Sequence, residues 1–305
     1  MEYFDIKQNI REIIFNESNF DKEYQLVENK DILFERYCVY DGQYDDARRV
    51  ALDVLDMLKN GEKERKLSYT LIGDDKKHDV YLTIDDNKSV VGASCEVTDR
   101  GIEIGVCLSS IFSMLAKIDT DAVFTRIESS IGHELNHLYT YNKKVASTGK
   151  DEDAEWYDTI VEIFSKNETM DNIASYFIRG LYFSYYHEVN AYASELPKQI
   201  EWIIINSIGK DKQPTKEQLI NALKKSNVYM TYITIIGRYI PMLKSIDEDS
   251  KLKIVNLFKK YNYKLAEDIG KNYKKYVKMI EHGCKQGMKK IYQAFNYVLE
   301  KYNYV

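Results

Sequence analysis

Residues 120–141 read TDAVFTRIESSIGHELNHLYTY, and the periodicity of this stretch decides the fold. Val123, Phe124, Ile127, Ile131, Leu135 and Leu138 recur at three- and four-residue intervals. At 3.6 residues per turn they form one apolar stripe of an α-helix. Thr120 or Asp121 supplies an N-cap oxygen for the first amides. The spacing predicts a long helix ending near Tyr141. Upstream the period changes to that of strands. Residues 67–72 (LSYTLI), 79–84 (DVYLTI), 89–97 and 101–108 (GIEIGVCL) are short and rich in β-branched side chains. Asp85-Asp86-Asn87 and Asp99-Arg100-Gly101 supply tight turns between them. They predict a small antiparallel or mixed sheet. Before the sheet, residues 45–59 carry Val50, Leu52, Val54, Leu55 and Leu58 at helical spacing, with a stop at Asn60-Gly61.

Downstream the pattern stays helical. Helices are expected over 153–165, 173–207, 216–227, 229–244, 249–268 and 271–302, with Gly180 and Pro197 as break points in the second. A helix, a sheet and then many helices make an α+β chain. The expected division is a helical lead-in over 1–35, a domain carrying sheet and long helix over 36–207, and a largely helical C-terminal region over 208–305. The acidic run at 151–155 (DEDAE) suits a helix start, where carboxylates meet the positive end of the dipole.

Within the long helix, residues 133–137 read His-Glu-Leu-Asn-His. Positions four apart share a helix face, so the imidazoles of His133 and His137 can hold one metal ion. Glu134, one position on, points aside, where it can reach a water beside that metal. Zn2+ lowers the pKa of such a water towards neutrality, and a carboxylate can then take its proton. Two histidines are an incomplete set, since catalytic zinc takes three protein ligands. Position 143 is Lys143, so the third does not follow six residues on. Glu188, His187, Glu195, Glu155 and Glu162 are the candidates. Outside the metal shell, His187 could hydrogen-bond a substrate oxyanion.

Residues 188–196 read EVNAYASEL. This run resembles the second-helix signature of gluzincin-type peptidases, and most of all the E-x-N-x-(aromatic)-A-x-E-L run of the ImmA/IrrE-like metallopeptidases. The resemblance spans residues 101–196. It implies a zincin-like core, a small mixed sheet with an H-E-x-x-H active-site helix. It makes His133, His137 and Glu188 the metal ligands and Glu134 the general base. It also makes 101–108 the sheet edge that aligns an extended substrate beside the helix. No helix-turn-helix stands out, so that family's repressor-cleaving role does not carry over.

The rest of the chain narrows the setting. Among 305 residues, 44 % are hydrophobic, enough for a substantial core. The net charge of −5 gives no reason to expect a nucleic-acid partner. From Lys251 onward, however, 13 Lys face 4 acidic residues, so the C-terminal helices could meet an acidic partner. Cys38, Cys95, Cys107 and Cys284 form no C-x-x-C pair, which argues against a cysteine zinc site. Residues 1–15 (MEYFDIKQNIREIIF) lack a signal peptide's basic start and apolar core, and no 18-residue apolar run exists. The expectation is a cytoplasmic zinc-dependent peptidase acting on a peptide or protein. The alternative is a non-catalytic structural or assembly protein that retains the zincin core, virion-associated if it belongs to a bacteriophage. The 26 Tyr and 3 Pro reflect the bias of an AT-rich genome, which suits that alternative.

Overall fold

A computed structural model describes residues 43–71, 77–85, 92–108, 120–148, 154–166 and 170–304. The expected lead-in over 1–35, the turn at 85–87 beyond Asp85, and the acidic run at 151–155 up to Asp153 lie outside the described residues. So do the side chains of Thr120, Asp121 and Glu155. The chain is α+β. No described helix is long and apolar enough to cross a membrane.

Helix α1 (Gln43–Asn60) precedes strands β1 (Glu64–Thr70), β2 (Lys77–Asp85), β3 (Gly92–Thr98) and β4 (Gly101–Cys107). The strands form one mixed sheet in the order β1-β2-β4-β3. β1 and β3 run antiparallel to their neighbours, while β2 and β4 are parallel, with Val80 opposite Ile102. Alternation sets the face that turns inward. Ile102, Ile104 and Val106 are buried on β4, as are Val80, Leu82 and Ile84 on β2. Helix α2 (Thr120–Thr148) packs on this sheet and on α1. Its Ile127, Ile131 and Leu135 join Val50, Val54 and Met57 of α1 in one core.

This order corrects one expectation. Residues 101–108 do not form the sheet edge: β4 is bonded to β2 on one side and β3 on the other. The edge strand packed beside α2 is β3. The amide of Leu108 donates to Asp85 O at 2.8 Å, extending the β2–β4 pairing past the strand ends.

The remaining helices are α3 (Ala154–Ser165), α4 (Asn172–Ser184), α5 (Tyr186–Ile208), α6 (Lys216–Lys225), α7 (Asn227–Thr234), α8 (Ile240–Lys244), α9 (Glu248–Lys259) and α10 (Tyr263–Lys301). The single helix expected over 173–207 is two. The break falls at Tyr185, whose backbone is extended (φ −69, ψ 134), and neither Gly180 nor Pro197 interrupts its helix. Gly180 instead admits Ile280, whose Cγ2 would lie 2.8 Å from an added Cβ. Pro197 continues α5, which forgoes one amide hydrogen bond there. Pro241 has a stronger effect. The segment Ile235–Tyr239 just before it is a π-helical turn, closed by the Ile240 amide donating to Ile235 O. In α10 the break expected near 269–270 is a local kink at Asn272 (φ −118, ψ 26).

The chain divides into two compact units. One holds the sheet, with residues of Tyr37–Gly149, Asn190–Val228 and Ala294–Val305; the other is helical, with residues of Lys150–Val189 and Tyr229–Gln293. In the helical unit, Phe177 packs on Phe258 and stacks on Tyr273. The Tyr232 hydroxyl donates to Phe183 O at 2.9 Å. Ile254, Leu257 and Phe258 of α9 are buried, whereas Lys259, Lys260 and Lys264 are exposed.

Gly283 of α10 lies directly against the backbone of Ser184 at the end of α4, where a Cβ would collide with the Ser184 carbonyl. Gly283→Ala should therefore destabilise the protein by about 1–3 kcal/mol, the usual cost of overpacking. Thermal denaturation checks this; an unchanged midpoint would show that α4 and α10 are not in close contact.

Candidate metal centre

Helix α2 buries its apolar stripe in the sheet unit and carries His133 and His137 one turn apart. Their Nε2 atoms are 3.1 Å apart, with ring centroids separated by 4.8 Å. Two nitrogens about 2.0–2.1 Å from one tetrahedral zinc would stand about 3.3–3.4 Å apart. The pair also suits an imidazole–imidazole hydrogen bond, so the third donor decides the reading.

The candidate for that place is Glu188. One ligand atom from each of His133, His137 and Glu188 lies within 4.8 Å of the others. Glu188 occupies the first turn of α5, which starts there because the chain breaks at Tyr185. A carboxylate near a helix N-terminus is favoured by the dipole. Its side chain is nonetheless only 1 % exposed, and a buried carboxylate is costly without a cation or strong donors. Two imidazoles and one buried carboxylate match the zinc set of two His and one Glu. The residues therefore fit a divalent metal of that type.

The face of α5 continues the site. Tyr192 and Glu195 follow Glu188 by four and seven residues, along one stripe. The Tyr192 ring meets His133 edge-on at 4.6 Å. Glu195 Oε1 lies 3.3 Å from His133 Nδ1, on the opposite side of the ring from the nitrogen that faces His137. Gln199 donates to Glu195 Oε2, and Gln199 Oε1 accepts the Val228 amide at 3.2 Å. The two atoms make no hydrogen bond at this distance; a carboxylate so placed would favour a proton on Nδ1, with Nε2 as the metal-facing nitrogen.

The other rivals for the third place lie elsewhere. The His187 ring sits against Tyr185 and Tyr186, and His187 is outside the three-residue group. Glu162 is exposed and pairs with Lys166 at 2.6 Å. Glu134 is half-buried, about 100° around α2 from His133. Its charge is felt by Cys95 on β3, whose thiol is pushed up to about 12, first by burial and then by Glu134.

Two polar residues near the site lay outside the sequence reading. Gln43 is fully buried at the start of α1. Its Nε2 donates to Gly132 O at 2.7 Å and approaches Ser194 Oγ at 3.4 Å, while its Oε1 accepts from Asn136 at 3.1 Å. One amide thus ties the histidine helix to α5. Its only signal in the sequence is a polar residue in line with Ala47, Val50 and Val54. Tyr157 of α3 donates a short hydrogen bond to Glu188 Oε1. Burial, then the Glu188 charge, pushes its phenol well above the ordinary range, so it stays protonated. Nothing in the sequence separates Tyr157 from the other tyrosines.

Glu195→Ala removes the group facing His133 Nδ1. It should weaken binding of added zinc about 10- to 100-fold while the protein stays folded. Competition with a chromophoric chelator measures this, and an unchanged affinity would remove Glu195 from the site.

No protein-family model, no curated protein and no solved structure matches this chain, so what the centre does must be argued from its own residues.

Proposed function

We propose that the protein is a zinc-dependent peptidase, with His133, His137 and Glu188 as metal ligands and Glu134 as general base. The observation that carries this reading is the grouping of the three ligand atoms on two helices, with a half-buried glutamate next to the first histidine. Its zincin-like character rests on the H-E-x-x-H helix packed beside a small mixed sheet. A zinc ion held there supplies Lewis acidity, which makes water acidic near neutral pH and polarises a carbonyl oxygen.

The protein's own groups do the rest. Two neutral imidazoles and one carboxylate reduce the charge of a divalent ion to a net +1, which leaves it strongly polarising. Glu134 takes the proton of the attacking water and returns it to the departing amine, as a general base must in amide hydrolysis. The edge strand β3 packs beside the same helix. Its outer edge, which pairs with no strand among the described residues, can take an extended peptide as an added strand, which would present a scissile bond to the centre. That role, assigned from the resemblance to residues 101–108, passes to β3.

Glu134→Gln should keep the fold and bound zinc and lower peptide hydrolysis by about 10² to 10⁴, the usual contribution of a general base. The check is turnover and zinc content on the same preparation. Equal turnover by the variant would show that Glu134 is not the base. A zinc-loaded wild type that cleaves nothing across a broad peptide library would favour the non-catalytic assembly protein.

A further inference from the structure

The Glu188 carboxylate is held by a tyrosine with no place in the hydrolytic scheme. Tyr157 of α3 donates its hydroxyl to Glu188 Oε1. Two other tyrosine rings lie against its own. It stacks on Tyr185 at 4.3 Å with 25° between planes, and lies nearly parallel to Tyr182 at 6.1 Å. Trp156 meets Tyr185 edge-on at 5.1 Å. Tyr182, Tyr185 and Glu188 are three residues apart and span the break between α4 and α5. The break that starts α5 therefore also sets the stack that aims the phenol at the carboxylate.

We infer that Tyr157 is a positioning residue for Glu188, which limits that carboxylate to coordinating the metal through one oxygen. This rests on the metal-centre reading above. A neutral phenol can donate one hydrogen bond, and here it goes to Oε1. An oxygen that accepts a hydrogen bond is the poorer metal ligand of the pair, which favours Oε2 as the coordinating atom. One-oxygen binding by Glu188 with two imidazoles gives three protein ligands and keeps the fourth position of a tetrahedral site for water or substrate. Without the phenol, both oxygens can chelate, and that position is crowded.

The test uses the full-length protein loaded with zinc or cobalt(II). Wild type with cobalt should show the intense visible absorption of a four-coordinate ion. Tyr157→Phe, which keeps the ring stack, should give weaker bands as the coordination number rises. It should also bind zinc about 10- to 100-fold more weakly. Weak, higher-coordinate bands in wild type would overturn the inference without any variant. So would an unchanged spectrum and affinity in a folded Tyr157→Phe. Wild type that binds neither metal would instead overturn the metal centre itself, and the inference with it.

Discussion

A carboxylate only 1 % exposed stands before two imidazoles, and the surrounding structure answers to its charge. An ion taken out of water costs several kcal/mol unless a counter-charge and hydrogen bonds replace its hydration. Glu188 receives one hydrogen bond from Tyr157 and the field of a helix N-terminus. On the reading proposed above, a divalent cation shared with His133 and His137 would supply the counter-charge.

The scaffold spends its other buried polar groups on fixing those helices. Gln43 bonds to the backbone ahead of His133, to Asn136 inside the motif and towards Ser194 on α5. Ser194 itself donates to Ala191 O at 2.7 Å, and the Tyr44 hydroxyl donates to Ser194 O at 2.9 Å. Further along, Lys198 of α5 pairs with the buried Glu128 of α2 at 3.0 Å. Burial raises the Glu128 carboxyl above its ordinary range, and Lys198 opposes that shift. Helices α2 and α5 are therefore joined both level with the motif and one turn or more before it.

The sequence made some of this legible and hid the rest for physical reasons. The stripe from Val123 to Leu138 announces α2 because packing at helical period leaves no other fold for it. The helix outruns its expected end near Tyr141 and continues to Thr148, since polar helix formers extend a helix without marking it. Alternation in GIEIGVC tells which face of β4 is buried. It carries no information on which strands flank it, and so the edge was misplaced. Glu188 was singled out among several acids only through resemblance to a known run, because spacing along the chain does not say which helices meet. A proline in a helical pattern signals a break, yet at Pro197 a single forgone hydrogen bond is tolerated inside the well-buried α5. Gln43 and Tyr157 act across 89 and 31 residues of chain respectively, distances over which no local pattern reports.

The central claim is that His133, His137 and Glu188 together bind one metal ion. X-ray absorption at the zinc edge, on protein loaded with one equivalent, tests it most directly. The account predicts two imidazole nitrogens and carboxylate oxygen at about 2.0–2.2 Å, with one imidazole lost in His133→Ala. A sulfur shell, or a spectrum identical in wild type and Glu188→Ala, would contradict it.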